Sequence, residues 1–244
     1  MGVQQYYQKV SYLMQKAVDT QAEPITRAAG LLAGAVKSGG VVFTFGTGHS
    51  HLVAEEVMYR AGTLVPVYAI LEDSITGNHE VTKSEYTERL EGFAEVIFNY
   101  HRPTPKDAMV IISTSGRNAV PVEMAMVCRA HGVPVVAITS VAYSQGQPSR
   151  QSSGKRLFEL ADVVIDNCGE FGDAALKLEG LEQPVGPTSG VINTFLIQAL
   201  MVETVAQLLK EGITPPVFWS GNLDGARAKN DRMQEQYRSR VRAW

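Results

Sequence analysis

Five short apolar runs mark the middle of the chain: VVFTF (41–45), VPVYAI (65–70), AMVIIS (108–113), PVVAIT (134–139) and DVVID (162–166). They are rich in Val and Ile and do not alternate with polar residues, which is how strands buried on both faces read. Helical stretches lie between most of them, near 50–61, 84–98 and 119–131. Strand–helix alternation implies right-handed crossovers and a parallel sheet covered on both sides. Two helical segments, 3–20 and 23–38, precede the first strand. In the second, Ile25, Ala28, Ala29, Leu32, Ala35 and Val36 recur at helical spacing. Glu23 and Pro24 suit its first turn, and Gly39-Gly40 ends it. A long helix over 188–211 and a charged one over 224–240 complete the chain.

Length and charge narrow the picture. The 244 residues suffice for one large α/β domain, with N-terminal helices over 1–40, a core over 41–211 and a helical tail over 212–244. A net charge of −3 argues against a nucleic-acid or membrane surface. Cys128 and Cys168 form no C-x-x-C pair and read as reduced thiols, not a disulfide framework. The N-terminus lacks the apolar core of a signal peptide, and no apolar run reaches the length of a bilayer span. The expected compartment is the cytoplasm.

In open parallel sheets, ligands bind outside the C-terminal ends of the strands. The first strand runs into Gly46-Thr47-Gly48-His49-Ser50-His51. Gly46 and Gly48 allow close backbone approach, the following helix start offers free N–H groups, and Ser50 adds a hydroxyl. The third strand runs into Ser113-Thr114-Ser115-Gly116-Arg117-Asn118. Three consecutive hydroxyls and a glycine at a strand end can surround a phosphate without a metal. Asn118 is placed as an N-cap, with Pro121 in the first turn.

FGTGHS followed by STSGRN, on the first and third strands, resembles the SIS (sugar isomerase) domain, over roughly residues 23–210. VPVVAITS (133–140) and ADVVIDN (161–167) resemble later SIS strands. The segments 184–194 and 214–231 are similar to a phosphosugar-binding subgroup of that family. The resemblance implies a three-layer α/β/α sandwich with a five-stranded parallel sheet of flavodoxin-like order. It also implies that Ser113, Thr114 and Ser115 hold the phosphate, with Ser50 and Gly116 close by. The Asn118 amide can also donate to an oxyanion. The implied ligand is a phosphorylated sugar or amino sugar, and the implied assembly is a homodimer or higher homo-oligomer.

Other motifs fit less well. A dinucleotide fingerprint needs a third glycine where His51 stands, which disfavours a nucleotide-binding oxidoreductase. A P-loop needs a lysine that the first loop lacks. His49 and His51 are two residues apart, not the i, i+4 that stacks metal ligands on a helix. They read as polar residues lining a sugar pocket. No metal and no cofactor is expected.

Isomerisation or etherase-type elimination on a sugar phosphate needs a base for a carbon-bound proton and an acid at oxygen. Glu55 and Glu56 lie in the helix after the first loop, with Glu56 expected to face the pocket. Glu72 and Asp73 end the second strand. His79 and Glu80 follow in ITGNHE, a loop able to reach a neighbouring subunit's site. Glu56, Glu72 and His79 are the catalytic candidates. Thr188 and Ser189 are expected to cap the long helix, whose N-terminus would face the ligand. The expected function is that of an isomerase or lyase acting on a sugar phosphate, the alternative being a sensor that binds without turnover.

Overall fold

The computed structural model describes residues 2–78 and 80–243; His79 lies outside the described residues. The five apolar runs form β1 (Val42–Gly46), β2 (Val67–Ile70), β3 (Ala108–Ile112), β4 (Val135–Thr139) and β5 (Val163–Asp166). They make one parallel sheet in the order β2-β1-β3-β4-β5, the flavodoxin-like order expected. Side chains along each strand alternate between two cores. Val42, Val67, Val110, Ile112, Val136 and Ile138 face one, which α1 (Gly2–Lys37), α2 (Ser50–Glu55) and α8 (Ser189–Lys210) cover. Phe43, Phe45, Tyr68, Met109, Ile111 and Val135 face the other, under α5 (Phe93–His101), α6 (Ala119–Ala130) and the tail. Both faces are dry, so the strands show no polar alternation.

Several elements depart from expectation. The two N-terminal helices are one continuous helix with Pro24 inside it. An interior proline costs about 3 kcal/mol, yet α1 is anchored on both sides of it. Gln21 accepts a hydrogen bond from the Asp166 N–H (2.9 Å), and Gln207 of α8 donates to the Thr26 carbonyl (2.8 Å). The helix after the first loop stops at Glu55, well short of residue 61. Residues beyond it are drawn into pairing with the tail: the Gly62 and Val65 N–H groups donate to Phe218 and Pro216. The helix expected over 84–98 divides into α4 (Val81–Thr87) and α5, with Gly92 at positive φ between them. A one-turn helix α3 (Asp73–Thr76) precedes them.

An antiparallel hairpin of β6 (Ala174–Leu176) and β7 (Val185–Pro187) was not foreseen. It lies between β5 and α8. A short helix α7 (Val141–Gln145) follows β4, and α9 (Ala226–Glu235) is the tail helix, shorter than the 224–240 expected. Contrary to the expectation from apolar runs, α8 has the length and apolarity of a membrane span. Its packing against α1 and the first core accounts for the buried part of that apolarity, while Val191, Val202 and Leu209 stay exposed.

Candidate functional site

The first loop is shaped by close approach. A Cβ on Gly46 would sit 2.6 Å from the Ser50 carbonyl, so only glycine lets the chain fold back into α2. The Gly48 N–H donates to the Ile75 carbonyl (2.8 Å), tying this loop to α3. His49 is exposed and Ser50 half-buried, while His51 turns inward. The His51 Nδ1–H donates to the Gly48 carbonyl (2.5 Å), since a carbonyl can only accept, and Nε2 is buried without a partner among the described residues.

The serine loop turns at Gly116, where φ is +59° and a Cβ would meet the Ser144 and Thr139 hydroxyls at 2.9 Å. Ser113 is buried and its Oγ accepts from the Gly116 N–H (3.2 Å). Thr114 Oγ1 accepts from Asn193 Nδ2 (3.3 Å). The half-buried Ser115 hydroxyl has no hydrogen-bond partner among the described residues.

Asn118 stands at the N-cap position, but its side chain does not cap α6. Its Nδ2 donates to Glu88 Oε1 (2.7 Å) and its Oδ1 accepts from Arg150 (2.9 Å). The amide expected to reach an oxyanion is therefore engaged within the chain. Glu88 also accepts from the Thr47 hydroxyl (2.6 Å), so one carboxylate clamps the two loops together. Burial first, then the nearby charges of Arg117 and Arg89, lower the pKa of Arg150.

A cavity of about 630 Å³ opens between α2 and the start of α8, within the range of small-molecule sites. His49, Ser50 and Glu56 line one wall; Asp173, Ser189 and Asn193 line the other. Through the Asn193–Thr114 bond, this cavity is one hydrogen bond from the serine loop. Glu56 faces it while pairing with Arg60 (3.0 Å), and Glu55 is exposed. A smaller cavity of about 230 Å³ on the other side of the first loop shares His49 and Leu52 with it.

Glu72 is placed elsewhere. It accepts from the Ser74 hydroxyl (2.9 Å) and lines a separate depression with Asp73, Glu80 and Lys83. The start of α8 also differs from expectation. Neither Thr188 nor Ser189 caps it; Asp173 does, accepting from the Ser189 N–H (2.8 Å), the Thr188 N–H (3.1 Å) and the Ser189 hydroxyl (2.7 Å). That helix end already holds a carboxylate. Asp173, Asn193 and Glu88 thus escaped sequence reasoning as parts of the site. Their roles depend on which distant element each meets, and no local motif marks them. Among the described residues, no group of three or more His, Cys, Asp or Glu is placed to hold a metal.

The fold resembles solved structures of sugar-phosphate proteins. One is a phosphoheptose isomerase from Neisseria gonorrhoeae, with a TM-score of 0.57 at 18% identity, covering 84% of this chain and 97% of that one. Another is the Vibrio vulnificus NanR protein complexed with ManNAc-6P, with a TM-score of 0.55 at 14% identity over 97% of this chain and 69% of that one. In sequence, a UPF0309 protein of Halalkalibacterium halodurans is 45% identical over 92% of this chain and 93% of its own. A UPF0309 protein of Geobacillus thermodenitrificans is 39% identical over 98% and 96%. Residues 5–140, which carry both loops, match the SIS domain. With the sheet order and the two loops, this shows that the chain belongs to the SIS-domain family, among the UPF0309 proteins.

Proposed function

We propose that this protein binds a phosphorylated sugar or amino sugar and moves a proton on it, as an isomerase or an etherase-like lyase. The observation that carries this reading is the cavity between α2 and α8, lined by His49, Ser50 and Glu56 and one hydrogen bond from the serine loop. The serine loop, with the unpaired Ser115 hydroxyl, supplies the phosphate end. Glu56 and His49 supply a carboxylate and an imidazole to the sugar end. In this reading Glu56 takes the carbon-bound proton and His49 serves the ring or leaving oxygen. Gly46, Gly48, Ser50, Ser113, Thr114 and Gly116 shape the anion end. Glu72 and His79 act on a neighbouring subunit's site. Exposed Val3, Tyr7 and Val18 of α1, with Val202 and Leu209 of α8, support self-association. The unpaired Cys128 and Cys168 fit a reducing cytoplasm.

The Glu56–Arg60 ion pair favours a second reading, a sensor that binds without turnover, because it ties the carboxylate to a neighbour four residues on instead of leaving it free for the sugar. A thermal-shift screen of hexose, heptose and amino-sugar phosphates, each beside its unphosphorylated sugar, tests binding. A shift that requires the phosphate is expected; equal shifts with and without it would sink the phosphate-site reading. Proton exchange from solvent into the bound sugar, lost in Glu56→Gln, separates enzyme from sensor.

A further inference from the structure

A buried chain of amides runs from the loop after β5 to the serine loop, and the backbone fixes its direction. The Gly169 N–H can only donate, and it donates to Asn167 Oδ1 (2.8 Å). That identifies the amide oxygen, so Asn167 Nδ2 donates onward to Asn193 Oδ1 (2.8 Å). Asn193 Nδ2 then donates to Thr114 Oγ1 (3.3 Å). Asn167 and Asn193 are 0% and 2% exposed, so water does not compete for these bonds. The Gly116 N–H imposes the same polarity on its neighbour by donating to Ser113 Oγ. Both hydroxyl oxygens therefore already accept a bond. Their protons have no acceptor among the described residues.

We propose that Asn193 is a positioning residue that turns the Thr114 hydroxyl proton outward to donate, so that the serine loop favours anions whose oxygens are fully deprotonated. This rests on the loop's being the phosphate site. A phosphate dianion offers only acceptor oxygens when it is a monoester. Protonating one phosphate oxygen removes a charged acceptor from hydroxyls whose protons point outward, so a charge-assisted bond gives way to a weaker neutral one. Thr47 does not share this polarity: its proton is given to Glu88. Charged groups around the loop are His49, Glu56, Glu88, Arg117, Arg150 and Asp173.

The test compares inorganic sulfate, a proton-free dianion between about pH 5.5 and 8, with methyl phosphate, a monoester that is a proton-free dianion at the top of that window and takes up one proton within it. Affinities are read by calorimetry on the full chain. Sulfate affinity is expected to stay constant, while methyl phosphate affinity falls about tenfold on acidification, the loss of one charge-assisted hydrogen bond. A parallel change for both ions, in either direction, would place the titration on the protein and not on the ligand and overturn the proposal; so would a constant methyl phosphate affinity. If Ser115→Ala leaves both affinities unchanged, the loop is no anion site and the underlying reading fails with it. In a double-mutant cycle, Asn193→Leu is expected to weaken methyl phosphate binding about tenfold in the parent and not at all in a Thr114→Val background. Equal losses in both backgrounds would show that Asn193 does not act through Thr114.

Discussion

A single methyl group decides the shape of the serine loop. At Gly116 it would have to enter a positive-φ turn already filled by the Ser144 and Thr139 hydroxyls. Gly116→Ala is expected to lower the urea midpoint by the equivalent of about 1–3 kcal/mol and to weaken anion binding with it. Ser115→Ala does the opposite: no bond within the chain is lost, so stability holds, while phosphosugar affinity falls by about 1.5–3 kcal/mol. Titration calorimetry beside a melting curve separates the two effects, and a Ser115→Ala protein with parent affinity would sink the serine-loop assignment. The two loops were legible in the sequence because glycines and hydroxyls declare their capability wherever they stand. Asn118 was misread for the converse reason. Its amide suits a cap or an oxyanion equally, and the choice was made by Glu88 and Arg150, each about thirty positions away.

The elements follow a similar division. Strands buried on both faces carry their own signature, and all five runs formed where expected, within a few residues. Helix boundaries were set by distant partners instead. The break after α4 frees Glu88 to clamp Thr47 and Asn118, and the early end of α2 yields to the tail. The tail has an anchor of its own. Asp107, fully buried, accepts from the Val41 and Thr104 N–H groups (2.7 and 2.6 Å) and pairs with Arg240 (2.6 Å). Removing it orphans two backbone donors as well as the guanidinium. Asp107→Ala is expected to cost about 3–5 kcal/mol in chemical denaturation; a loss below 1 kcal/mol, on the scale of a surface ion pair, would mean that the tail is held by its apolar contacts.

At the scale of the molecule, the tail returns to the β2 side of the sheet, where Arg242 lies over the Tyr100 ring and His101 stacks edge-on against Tyr68 and Tyr100. Burial, and secondarily the Arg242 charge, hold the His101 pKa below the ordinary 6.5, with Glu72 opposing. As pH falls below that ordinary value, the unfolded chain takes up a proton that the folded chain resists. Stability is therefore complete above it and is lost on descent towards the depressed folded value. The fall in melting temperature between about pH 7 and pH 5 should be smaller in His101→Phe than in the parent. Identical falls would assign the acid sensitivity to carboxylates alone.

The pairing of residues 62–65 with residues 216–218 has a consequence for synthesis. β2 is an edge strand, and the backbone of the segment entering it pairs with a stretch translated far later. At about 5–20 residues per second, the nascent chain leaves that backbone bare for roughly ten seconds. During that interval its free N–H and C=O groups are open to a neighbouring nascent chain or to a chaperone, and the tail's arrival closes the window.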